Sequence, residues 1–178
     1  MSESISTATR PVRQITINTG RPWAEFRAAY EEAVPQFDRL EAIGVVRSGG
    51  GWEGITRLSE STATHGFVNF FVFDPSPVMA LHGNAGKAVT YLTGNILKAE
   101  AGFAALPHCF LYLPLRVVIA AKEGDQAELS FDNPADLFAA YATPELAAVG
   151  RDFAHTLAGL LDHLGLSVPG ELLEPQTD

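Results

Sequence analysis

Four residues of this chain set a directional polar group in apolar surroundings: Tyr91, Asn95, Tyr112 and Arg116. Arg116 stands out, because it interrupts Phe110–Ala121, a run of branched and aromatic side chains. A guanidinium beside Val117 and Val118 has to reach water, a carboxylate or a ligand to offset its desolvation. Two tyrosines, an amide and an arginine suit a pocket with apolar walls and a few orienting groups, in which Arg116 anchors a carboxylate or similar anion. The expectation is ligand binding by Tyr91, Asn95, Tyr112 and Arg116, which converge on one cavity if the strands carrying Tyr91 and Arg116 are neighbours. The structural alternative is equally concrete. In it Asn95 caps a helix, both tyrosines pack, and Arg116 pairs with a carboxylate such as Asp132, at the surface or across a subunit boundary.

Other residue types invite chemistry less directly. Gly49, Gly51 and Gly54 complete a literal G-x-G-x-x-G after the apolar Ile43–Val46, which is what a dinucleotide-binding turn would use. The helix expected after them is short and no further β-α-β units follow, so a flexible loop competes with that reading. His65, His82 and His108 fall near strand ends, where three imidazoles can hold zinc, but their spacing follows no metal motif. No metal or other cofactor is expected. Cys109 adjoins His108, yet neighbours on an extended chain point to opposite faces and do not form a nucleophile–base pair. No apolar run holds paired carboxylates. A binding module for a small apolar or anionic molecule is therefore favoured over an enzyme. Two alternatives stand beside it. One is acid/base chemistry in the same cavity, with Tyr112 or His108 as general acid and Arg116 stabilising an oxyanion; the other is a purely structural dimer module.

The elements that must position these groups read as one α+β domain. A chain of 178 residues, 47% hydrophobic and 19% charged, fits a single domain over residues 12–168, between a flexible tail at 1–11 and an acidic tail at 169–178. The net charge of -9 opposes nucleic-acid binding and anionic membranes, both of which draw on clustered Lys and Arg. A single cysteine allows no internal disulfide. The Ser- and Thr-rich start lacks the apolar core of a secretory signal, so a cytoplasmic protein is expected.

Along the chain, a strand is expected over Val12–Asn18, then an amphipathic helix from Pro22 that kinks or stops near Pro35. Gly44–Gly51 reads as flexible, followed by a short helix over Trp52–Ser59. Strands follow at His65–Asp74 and Lys87–Thr93, and Asn95 caps a helix over Ile96–Ala105. Phe110–Ala121 is expected to be the central strand, buried on both faces, with pairing strongest after Pro114. A hairpin through Glu123–Gln126 leads to Ala127–Phe131, Asn133 caps a short helix, and the stripe Leu146, Val149, Phe153, Leu157, Leu160, Leu164 marks a long one.

Tyr91-Leu92-Thr93-Gly94-Asn95, Leu111-Tyr112-Leu113-Pro114-Leu115-Arg116-Val117, Phe131-Asp132-Asn133-Pro134 and Pro144-Glu145-Leu146 come in the order and spacing of the family known as domain of unknown function 302. Gly51-Trp52-Glu53-Gly54-Ile55 and His65-Gly66-Phe67 are similar to one branch of it, so the resemblance spans most of residues 12–165. It implies a two-layer fold like that of the TATA-box-binding protein, a mainly antiparallel sheet with helices on one face, and a homodimer. It implies no known reaction. Some relatives carry Pro-Cys where this chain has Pro114-Leu115, so thiol chemistry is not carried over, and an acidic chain gives the fold analogy no DNA-binding meaning.

Overall fold

The computed structural model of the protein describes Ile5, Thr7 and residues 9–174. The expected tail over residues 1–11 lies largely outside the described residues, as do the last four positions. Among the described residues no helix is long and apolar enough to cross a membrane.

Five antiparallel strands form one sheet in the order β1-β5-β4-β3-β2, with β1 Gln14–Asn18, β2 Val68–Phe73, β3 Lys87–Gly94, β4 Leu115–Ala121 and β5 Glu128–Asp132. The strand carrying Arg116 is central, as its composition suggests. It is not buried on both faces. Leu115, Val117 and Ile119 are buried, while Arg116 is exposed and Val118 and Ala120 are half-buried. Side chains alternate across a strand, and a short apolar run does not reveal whether its second face is covered. The strand also starts later than expected, since Pro107–Leu111 winds into a 3-10 turn and Pro114 precedes the first paired residue.

Helices cover the face that holds Val89, Tyr91, Val117, Ile119, Leu129 and Phe131, all within one apolar core. The longest, α7 (Pro144–His163), is capped by the Thr143 hydroxyl, which accepts the Leu146 amide, and it buries Phe153, Leu157 and Leu160. Its approach to α6 (Pro134–Ala139) depends on Gly150. A Cβ there would lie 2.7 Å from Cβ of Phe138 and 2.8 Å from the Pro134 carbonyl oxygen. Asn95 opens α5 (Ile96–Ala105) by accepting the Leu97 and Lys98 amides, and Asn133 opens α6 by accepting that of Ala135.

Pro35 does end α1 (Trp23–Ala33). A buried chain of hydrogen bonds ties that end to the sheet: the Tyr30 and Thr93 hydroxyls are 2.8 Å apart, Thr93 donates to Asn69 Oδ1 at 2.7 Å, and Asn69 Nδ2 donates to the Val34 carbonyl at 2.7 Å. Such groups are tolerated in a core because each has a partner. Arg13, just before β1, grips the nearly buried Asp136 of α6 with three hydrogen bonds of 2.6–3.0 Å.

Four local features depart from the expected pattern. Asp38 accepts the Leu40 and Glu41 amides, so Arg39–Arg47 is helical (α2) although Gly44 lies within it. Helix α3 runs over Gly51–Thr62, longer than expected, and α4 is one short turn at Ser76–Ala80. Beyond Pro169 the chain does not leave as a solvated tail through residue 174. Gly170–Leu173 (α8) turns inward, Leu172 is fully buried, and the Glu171 carbonyl accepts from Asn133 Nδ2 at 2.8 Å.

Candidate functional site

Strand pairing decides the fate of the four polar residues. Tyr91 is in register with Val117 and lies on the helix-covered face; Arg116 is in register with Leu92 and lies on the other face. The two strands are neighbours, but Tyr91 and Arg116 do not share a cavity. Tyr91 is fully buried, its ring 4.7 Å from that of Tyr30, and its hydroxyl donates to Glu31 Oε1 at 2.8 Å. Burial, with the Glu31 carboxylate beside it, raises its pKa far above the usual phenol range. Glu31 is itself held by Arg27, which also reaches Asp74 at 2.6 Å, so Tyr91 ends a chain of partnered charges.

Asn95 uses its side-chain oxygen on the α5 amides and its Nδ2 on the Gly66 carbonyl at 3.0 Å. Tyr112 is half-buried with its ring edge-on to Tyr141, whose hydroxyl donates to the His108 carbonyl. Among the described residues Arg116 forms no ion pair, with Asp132 or any other carboxylate.

The histidines do not gather. Among the described residues no three His, Cys, Asp or Glu side chains could hold a metal ion. His65 instead stacks on His163 of α7, with ring centroids 3.6 Å apart and planes 21° from parallel. Imidazole ligands offer their lone pairs in the ring plane, so two nearly parallel rings do not converge on one ion. Cys109 is fully buried and burial raises its thiol pKa, which keeps it protonated and inert. The G-x-G-x-x-G residues fall at a helix–turn–helix corner, where α2 rather than a strand precedes Gly49, so the strand-to-helix turn of a dinucleotide site is absent there.

That corner does build a site the motif did not announce. Between α2 and α3 lies an apolar groove of about 630 Å³, within the range of small-molecule sites. Phe37, Ile43, Val46, Trp52, Ile55 and Ile96 wall it, and Arg39 and Arg47 stand at the two ends of α2. The lining contains no carboxylate, histidine, cysteine or hydroxyl side chain. No residue of α2 is buried; Leu40, Ile43 and Val46 are 81%, 43% and 65% exposed, and Trp52 is 53% exposed. Sequence reasoning missed this groove because Gly44 and Gly49–Gly51 suggested a loop. The available signal was Asp38 as a cap, followed by Leu40, Ile43 and Val46 at three-residue spacing.

A second exposed surface is the uncovered face of the sheet. Phe71 and Phe73 on β2 are about half exposed, and register places Phe73, Thr90, Val118, Ser130 and Thr16 in one row across all five strands.

A family model described as domain of unknown function DUF302 matches residues 52–164, more than half the chain; α2 precedes the matched stretch. A crystal structure of an uncharacterized conserved protein DUF302 from Bacillus stearothermophilus is similar in fold, with a TM-score of 0.60 at 16% identity over 85% of this chain and 97% of that one. No curated protein matches the chain.

Proposed function

The chain belongs to the DUF302 family, a family without an assigned reaction, and from that premise we propose that it is a binding module for a small, largely apolar molecule carrying an anionic group. The groove between α2 and α3 carries this reading. Its walls are apolar, its charged members are two arginines, and its lining supplies no nucleophile or general base, which favours binding over catalysis. Helix α2 adds a further reason. A helix that leaves Ile43 and Val46 exposed gains stability when an apolar ligand in the groove covers them.

Trp52 lines the groove and reports on it. In a Trp23→Phe variant, leaving Trp52 as the single indole, titration with decanoate should give a saturable change in emission. Val46→Glu, which places a carboxylate in the groove from an exposed position, should abolish that change without lowering the melting temperature by more than about 2 °C. A response that never saturates, or one that survives Val46→Glu, would refute the groove as the site.

For the uncovered sheet face we propose a second copy of the chain. The support is physical. Five strands about 4.8 Å apart make a face about 24 Å wide, enough for much of the roughly 800 Å² per partner of a standard interface. Arg116 and Asp132 lie on that same face, so a two-fold axis can set each arginine against the partner's carboxylate. Sedimentation at micromolar concentrations should find a dimer that Phe73→Lys dissociates. A monomeric wild type over that range would remove this reading.

A further inference from the structure

The groove's charges are arranged along its length, and that arrangement constrains the ligand. Arg39 is the first residue of α2 and Arg47 the last. Eight residues apart, they are separated by about 12 Å along the helix axis and about 80° around it, so both reach the same side at opposite ends. Between them the lining is Ala42, Ile43 and Val46 from α2, faced by Trp52 and Ile55 from α3.

Neither arginine is spoken for. Among the described residues neither forms an ion pair. A ligand anion at each end would give both guanidiniums a partner.

We infer that the groove takes an elongated dianion, a medium-length chain with a carboxylate at each end, laid along α2 with one carboxylate on Arg39 and the other on Arg47. This rests on the reading of the groove as a ligand site. A hydrated inorganic anion would gain nothing from the apolar middle. A compact aromatic acid would reach one guanidinium and leave the other unpaired. A fatty acid would fill the middle and pair one end. The linear dianion alone matches apolar walls with a cation at either extremity, and bidentate pairing at each end would fix its register.

The test compares decanoate with decanedioate, molecules of equal carbon count that differ in one terminal group, by calorimetry and by Trp52 emission. Decanedioate should bind about tenfold more tightly. Arg39→Gln and Arg47→Gln should each bring decanedioate to the affinity of decanoate, and the double variant should bind neither measurably. Both arginines are exposed, so the variants should fold as wild type. If decanoate binds as well as or better than decanedioate, the dianion is overturned while the binding module stands. If neither acid binds, the failure lies with the groove reading itself. Binding of the protein to phosphatidylglycerol vesicles, lost in Leu40→Glu, would overturn the inference by making α2 a membrane-surface helix.

Discussion

Tyr91 and Arg116 stand on adjacent strands and face opposite ways, one into the helix layer and the other away from it. Their substitutions should therefore behave differently. Tyr91→Phe removes the donor to Glu31 and should cost about 1 kcal/mol. Arg116→Ala removes an exposed side chain and should change the stability of the monomer by less than about 0.5 kcal/mol. Urea unfolding at low protein concentration measures both, and a larger loss for Arg116→Ala than for Tyr91→Phe would contradict the face assignment.

Two glycines of α7 should respond to alanine with opposite signs. At Gly159 nothing lies within 4 Å of an added Cβ, so alanine should stabilise by about 0.5–1 kcal/mol through helix propensity. At Gly150 the added carbon meets Phe138 and the α6 backbone, and overpacking of about 1–3 kcal/mol should outweigh that gain. Thermal melts of the two variants give the comparison, and a stabilised Gly150→Ala would mean that α6 and α7 do not meet as described.

Asp74 predicts a pH dependence. Burial pushes its carboxyl up, but hydrogen bonds from the Ser76 side chain and amide, together with Arg27, outweigh this and hold its pKa below the ordinary value. A depressed carboxylate stabilises the fold above its unfolded pKa, about 3.9, and that contribution disappears as pH falls through the lower folded value. The difference in unfolding free energy between wild type and Asp74→Asn should be largest near neutrality and shrink below about pH 4. A difference independent of pH would show that the carboxylate's charge does not matter.

Cys109 should be unreactive while the protein is folded, because it is fully buried and its thiol is held protonated by the apolar surroundings. Titration with an aromatic disulfide reagent should detect no thiol in buffer and one in denaturant. Rapid reaction of the native protein would place Cys109 at the surface.

What the sequence made legible was local. Asn95 and Asn133 act as the caps their positions suggest, and the apolar stripe from Leu146 to Leu164 is the buried side of α7. Pro35 ends its helix, and the hairpin after Ala121 pairs β4 with β5. In each case the decisive interaction spans a few residues. The loop expected over Gly44–Gly51 shows the limit of that reasoning. Glycine content argued for a flexible loop, while the cap at Asp38 and the packing of α2 on α3 favour a helix.

The polar set shows the same division. The alternation of Leu115, Val117 and Ile119 with Arg116 and Val118 is written in the chain, but the face that the helices cover is not. Pairing register supplied it: setting Tyr91 opposite Val117 rather than Arg116 separates two residues that composition would have joined, since a shift of one residue exchanges the two faces. The groove lined by Arg39, Arg47 and Trp52 arises likewise from two helices meeting at a glycine corner, a long-range arrangement that no spacing along the chain encodes. The sequence by itself determined the fold class, most helices and the apolar stripe of α7, because caps, prolines and periodicity act over one or two turns. The tertiary structure decided which groups meet, because burial and register depend on surfaces contributed by segments far apart in the chain.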